Sequence, residues 1–283
     1  MADYRALVAN CLIRSRIQLQ LCNLDIGILP RSKYINAKVS DLKEKSLYTT
    51  DIIIRNLAKE NFEHAQLTVR YITELLSFAT CSDVVQFGFD YPERAPAFSR
   101  NSIIGQIQYH RPLFNIILKG EVIKAFLEQT WQSYQSLRKE RQLDIVRHYY
   151  VLAEKPSQPI ELKLVLLFVL LENLKHTFAV QQGYPFIKGS FRNQGATSSK
   201  RGRLKGFKCL MNEMFAAVFM SPDVSKVIKL RNELIHSGIL VLSFREKKDI
   251  YEFCQDIIRE YLLRLLDYKG EYLSYSRSIK AIT

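Results

Sequence analysis

The chain has 283 residues, enough for one large domain or two of ordinary size. Apolar residues make up 47% and aromatic residues 11%, so a real core is available and global disorder is excluded. A net charge of +13 and a pI near 9.5 point to anionic partners.

The first 119 residues read as a mixed α/β recognition or scaffold domain. Ile17, Leu19 and Leu21 alternate with polar residues, as a half-buried strand does. A helix is predicted over about 61–80, where Ala65, Val69, Ile72, Leu76 and Ala79 recur at spacings of three and four. Val85, Phe87, Phe89 and Tyr91 make a second alternation that stops at Pro92, and Ile103, Gly105, Ile107 and Tyr109 a third, closed by Pro112. The segment RAPAFSR, Arg94 to Arg100, reads as a loop.

From Gly120 the pattern turns helical and predicts an all-α bundle over 120–283, so the chain is α+β overall. Amphipathic helices are expected over 121–137 and 139–154, and Pro156 and Pro159 separate the second from a third over 160–181. That third helix is apolar nearly all round and belongs at the bundle centre. Gly183 and Pro185 end it, a Gly/Ser/basic loop follows over 188–206, and further helices are predicted over 207–220, 222–237 and 246–269.

The positive charge is concentrated. No Asp or Glu occurs between Glu172 and Glu213, while Lys175, Lys188, Arg192, Lys200, Arg201, Arg203, Lys205 and Lys208 all do. Such a block binds phosphates in a salt-dependent way. Its cations sit among Gly, Ser and Asn rather than on an amphipathic helix, which argues against a membrane surface. The most apolar run, Leu164 to Leu171, is too short to cross a bilayer. The N-terminus lacks a basic segment followed by an apolar one, so no secretory signal is expected. Five cysteines, Cys11, Cys22, Cys81, Cys209 and Cys254, form no CxxC pair or zinc-ligand spacing. Reduced thiols in a cytoplasm, without metal or cofactor, are the expectation.

The helix over 222–237 carries Arg231-Asn232-Glu233-Leu234-Ile235-His236. Ser221 is a suitable N-cap, Pro222 suits the first helical position, and Gly238 suits the stop. At about 100° per residue, Val224, Val227, Ile228, Leu230, Leu234 and Ile235 form one stripe, with Arg231 in its middle and Asn232 and His236 on a flank. A guanidinium cannot shed its proton, so an arginine on an apolar face needs a carboxylate, phosphate or carbonyl partner. Glu172, which interrupts the apolar helix at LLENL, is one. The pair is either a structural ion pair or an arginine held ready for a phosphate. A second pairing, Arg141 and His148 in a charged RKERQ context, looks like helix surface. His176, four residues after Glu172, is expected at the core or a loop edge, and His64, His110 and His148 at the surface. Phosphate-loop, dinucleotide, nucleophile-elbow and HExxH motifs are absent from the sequence.

On its helix order, on LLENL with Glu172 and on RNELIHSG at 231–238, the chain over about 121–283 resembles the HEPN superfamily, most closely its ApeA-like group. The resemblance implies a homodimer whose two helices bring two arginines and two histidines to one cleft. It also implies metal-independent endoribonuclease chemistry leaving a 2′,3′-cyclic phosphate and a 5′-hydroxyl, in a defence or toxin system. His236 is then the general acid/base, Arg231 the phosphate binder, Asn232 the group orienting the imidazole or a phosphate oxygen, and Glu172 the residue fixing Arg231. Lys188, Arg192, Lys200, Arg201, Arg203 and Lys205 would hold the RNA backbone. The alternatives are a non-catalytic nucleotide- or RNA-binding adaptor, a toxin restrained by an antitoxin or regulatory protein, and a basic structural protein on nucleic acid. In such toxins a tyrosine two residues after the histidine is the modified group; here Gly238 stands there.

Overall fold

The N-terminal sheet has six strands: β1 (Ala2–Ala9), β2 (Ile17–Leu21), β3 (Leu24–Pro30), β4 (Tyr48–Leu57), β5 (Val85–Tyr91) and β6 (Arg94–Phe98). Their order is β2-β3-β4-β1-β5-β6, every pair antiparallel. The computed structural model describes residues 1–98, 106–107, 111–114, 120–197, 202–238, 240–276 and 278–282, apart from the side chains of Phe98, Ile235 and His236.

Register puts one apolar set on one face. Tyr4 lies opposite Ile54 and Ala6 opposite Ile52, while Ile26 and Ile28 face the same two isoleucines from β3. All are fully buried, as the period of two requires of a face that meets a helix layer. Two single-turn helices, α1 (Ser32–Ile35) and α2 (Val39–Leu42), join β3 to β4. The covering helix is α3 (Phe62–Thr80), whose first residue stacks among Tyr4, Phe89 and Tyr91. Its second half is buried on every side, because α4 (Gly120–Leu137) packs against it through Tyr71 on Trp131 and Tyr134, and Phe78 on Phe126. Glu74 can be buried there since Tyr134 Oη donates to it at 2.6 Å and Arg70 Nε at 3.1 Å.

The second set of elements comprises α5 (Leu143–Ala153), α6 (Ile160–Gln181), the hairpin β7 (Phe186–Ile187) and β8 (Ser190–Phe191), α7 (Phe207–Ala216), α8 (Ser225–Ser237) and α9 (Phe244–Leu265). Helix α6 packs against α5, α7, α8 and α9, the central place its apolar circumference demands. With 22 residues, α6 is also the one described helix long and apolar enough to cross a membrane, and half of that stretch is buried. The Leu164 to Leu171 run understated this, because the apolar pattern extends on both sides.

The molecule is α+β and divides into two compact units. One is Met1–Gln135 with Glu154–Pro156 and Tyr268–Thr283; the other is Ser136–Ala153 with Ser157–Asp267. The line falls inside α4 rather than at 119/120. An all-α reading of 120–283 is corrected by β7–β8 and by a C-terminal hairpin, β9 (Gly270–Leu273) with β10 (Ile279–Ile282), which joins the first unit through Leu273 N–H on the Leu113 carbonyl.

Other differences have local causes. RAPAFSR is not a loop over 94–98, because β6 is an edge strand and Pro96 lies in a strand with only one neighbour. Of the third predicted alternation, Ile103, Gly105 and Tyr109 lie outside the described residues; Ile107 is buried and pairs through its backbone with Glu44 and Lys45. Helix α5 starts at Leu143, after a turn in which Gln142 has φ 49°. Helix α7 ends at Ala216, short of Met220. Helix α9 starts at Phe244, because Ser243 and Glu246 form a reciprocal capping box.

Candidate functional site

Helix α8 begins three residues later than its punctuation suggests. Val224 is at the N-cap position without a side-chain bond, and Asp223 Oδ1 instead accepts from the Ser225 N–H at 3.0 Å. Backbone and side-chain hydrogen bonds from Ser225 hold the Asp223 carboxyl below its usual value. At the other end Gly238 adopts φ 71° and its N–H meets the Leu234 carbonyl, the left-handed stop a glycine supplies.

Val224, Val227, Leu230 and Leu234 are buried, and this stripe carries Arg231 to α6. The Arg231 side chain keeps 25% of its surface exposed. Its Nη2 makes a short ion pair with Glu172 Oε1, its Nη1 donates to Asn232 Oδ1 at 2.7 Å, and its guanidinium lies 5.0 Å from the Phe207 ring centre. Arg231 Nε is buried and has no hydrogen-bond partner among the described residues. The second carboxylate oxygen of Glu172 accepts from Lys175 Nζ at 2.6 Å, and that ammonium lies 4.9 Å from the same Phe207 ring. Two cations thus share one carboxylate and one aromatic ring, leaving the group one positive charge in excess.

The expected Arg231–Glu172 contact is present. The Asn232 amide oxygen accepts from the guanidinium and helps to orient it. His236 is in the last turn of α8, and its side chain lies outside the described residues. From sequence Lys175 reads only as one cation of the basic block, not as a partner of Glu172, and Phe207 is not singled out. A signal for Lys175 existed in its i,i+3 spacing from Glu172; none existed for Phe207, which comes from another helix.

The basic block divides. Lys205 is closed off: its Nζ donates to Glu213 at 2.5 Å and to the Tyr184 hydroxyl at 3.2 Å, with 14% of the side chain exposed. Its charge is thus largely met within the fold, which leaves less of its field for a phosphate. Arg192 is half-buried and reaches the Gly202 carbonyl at 3.5 Å. Lys188 and Arg203 are exposed, while Lys200 and Arg201 lie outside the described residues. The loop over 188–206 is in part a ladder: Arg192 bridges Leu204, the Asn193 N–H meets the Arg203 carbonyl, and the Lys205 N–H meets that of Phe191. An open groove of about 670 Å³ runs beside it, lined by Asn193, Arg203, Lys205, Lys208, Cys209 and Asn212.

Arg141 is not helix surface. It is 2% exposed, with Nε on Thr177 Oγ1 (3.2 Å), Nη1 on Gln181 Oε1 (3.3 Å), and Nη2 on the Leu174 carbonyl (3.1 Å) and the Tyr261 hydroxyl (2.6 Å). The charged string RKERQ hid this because its turn aims one member inward. His64 and His148 are exposed, as expected, and His110 lies outside the described residues. His176 is exposed and sits at a hairpin edge against Phe186 and Phe191. All five cysteines are free thiols, and burial pushes those of Cys11 and Cys254 up to about 12. Among the described residues no group of three or more His, Cys, Asp or Glu could hold a metal ion.

Comparison of the chain with protein-family models, with curated proteins and with solved structures gave no match.

Proposed function

We propose that the chain is a metal-independent endoribonuclease of the HEPN type, acting as a cytoplasmic homodimer in a defence or toxin system. The observation that supports it is the Arg231 cluster: a guanidinium fixed by Glu172, partly open to solvent, in a group with surplus positive charge. A fixed fork of donors suits two phosphate oxygens and gains strength as charge grows on the phosphorane. His236, five residues on, supplies the proton transfers, for which an unperturbed pKa of about 6.5 is suited. One imidazole takes the proton of the 2′-hydroxyl as its oxygen attacks phosphorus. The bond from phosphorus to the 5′-oxygen breaks, and the imidazolium of the second copy gives that oxygen a proton. A 2′,3′-cyclic phosphate and a 5′-hydroxyl result.

The test incubates wild type and His236→Ala with labelled RNA in excess EDTA. Cleavage by the wild type alone is expected; equal cleavage by both, or none by the wild type, overturns the catalytic reading. Cleavage that stops in EDTA overturns its metal-independent part. Light scattering that gives a monomer at micromolar concentration with cleavage intact removes the dimer.

A second reading, a non-catalytic nucleotide- or RNA-binding adaptor of the same family, draws on one fact: both Nη groups of Arg231 are already engaged, by Glu172 and Asn232. It predicts RNA binding without cleavage.

A further inference from the structure

We propose that the β7–β8 hairpin is a stacking platform for one base of single-stranded RNA, with Phe186 as the stacking ring, His176 beside it and Lys188 as the phosphate contact. This rests on RNA being the ligand, and it names how that ligand is held.

Phe186 and Phe191 are direct cross-strand partners, with ring centroids 4.8 Å apart. Their fates differ. Phe191 is 4% exposed and belongs to a small core with Ala179 and Leu210, whereas Phe186 is 55% exposed. The hairpin is therefore anchored by Phe191, and Phe186 presents a held ring to solvent. His176 of α6 meets both rings edge-on, at 5.7 and 5.1 Å, and widens the aromatic surface. It is also one helical turn beyond Glu172, on the same face of α6. A base on the platform thus has its phosphate on the side of Arg231.

The hairpin tip adds a second observation. Lys188 and Gly189 form a two-residue turn with φ of 50° and 76°, a geometry that favours Asn-Gly. A lysine is disfavoured in the left-handed region, a strain of the kind kept at functional positions. It sets an ammonium at the tip, two residues from Phe186. Among the described residues neither Lys188 nor Arg203 has a carboxylate partner, and no acidic residue occurs from 173 to 212. An exposed aromatic face among unneutralised cations matches a single strand, whose bases each offer a π-face and whose backbone is anionic.

Binding is read by fluorescence anisotropy with the full chain and a labelled single-stranded 2′-O-methyl oligonucleotide, which lacks the attacking hydroxyl and cannot be cut. Phe186→Ala is expected to weaken binding roughly 5- to 150-fold, and Phe186→Tyr to retain it. Lys188→Asn is expected to raise the Tm while weakening binding, two effects that a merely structural turn residue would not combine. Phe186→Trp is expected to be quenched on saturation with the oligonucleotide; an unquenched indole overturns the platform even where Phe186→Ala fails to fold. Wild-type affinity in Phe186→Ala, or no binding by the wild type, overturns it too, and would make the exposed ring a contact for a protein partner. Phe186-dependent binding without RNA cleavage leaves the platform standing and removes the nuclease; cleavage indifferent to Phe186 does the reverse.

Discussion

Two arginines dock on α6 and meet opposite terms. Arg141 is almost wholly buried with four neutral acceptors, whereas Arg231 is a quarter exposed and held by a carboxylate. Burial of a guanidinium demands that its N–H groups be satisfied, and carbonyl, hydroxyl and amide oxygens suffice for that. Such an arginine is closed to any ligand. An ion pair at a half-open surface leaves charge that a phosphate can share. Both arginines precede a histidine at short range, and surroundings rather than spacing separate structure from a candidate site.

The comparison breaks most sharply at Arg141. Arg141→Met should destabilise the fold by about 3 kcal/mol, because Thr177, Tyr261 and the Leu174 carbonyl lose their donor in a buried place. Denaturant unfolding measures this, and a loss under about 1 kcal/mol would mean that the site relaxes or admits water. Arg231→Ala should cost about 1 kcal/mol or less in the same experiment, since Glu172 keeps Lys175. RNA cleavage, however, should fall at least about 100-fold. A stability loss equal to that at Arg141 would make Arg231 structural as well.

Glu172→Gln sharpens the contrast from the other side. It releases two cations at once, so RNA affinity should rise roughly threefold at low salt and fall more steeply as salt is added. Cleavage should drop, because the arginine loses its fixing partner. An unchanged salt slope would place the RNA elsewhere.

The smallest effect concerns Lys205. Burial would raise the Glu213 carboxyl, but hydrogen bonds from Lys205, Cys209 and Tyr184 and the Lys205 charge hold it below its ordinary 4.5. A depressed folded pKa gives stability that is complete above the unfolded value and is lost as pH falls through the folded one. Glu213→Gln should therefore flatten the loss of stability below about pH 4.5, read from denaturation midpoints on either side of it. It should also free Lys205 for RNA.

Legibility in the sequence followed how far a pattern depends on its own segment. Helix α6 was bounded correctly at 160 and 181 because Pro159 and Gly183 punctuate a long apolar run. Strands β1 and β4 were not anticipated: the inward Tyr4, Ala6 and Val8 alternate with the apolar Leu7, and Ile52 and Ile54 flank Ile53, so neither shows a clean period of two. They are strands because each is flanked by others in the ladder. Within the candidate site, Arg231 and Glu172 were legible because each breaks an apolar stripe, and a buried charge needs an opposite one.

The sequence by itself determined the α+β class, the central place of α6, the acid-free block from 173 to 212 and the partners Arg231 and Glu172 as interruptions of two apolar faces. These are local matters of period and charge. Tertiary structure alone decided that Phe207 seats two cations, that Lys205 is neutralised, that Phe186 stays exposed while Phe191 is buried, and that Arg141 turns inward. Each depends on what another segment brings within a few ångströms, and desolvation and hydrogen bonding act on that neighbourhood, which no spacing along the chain records.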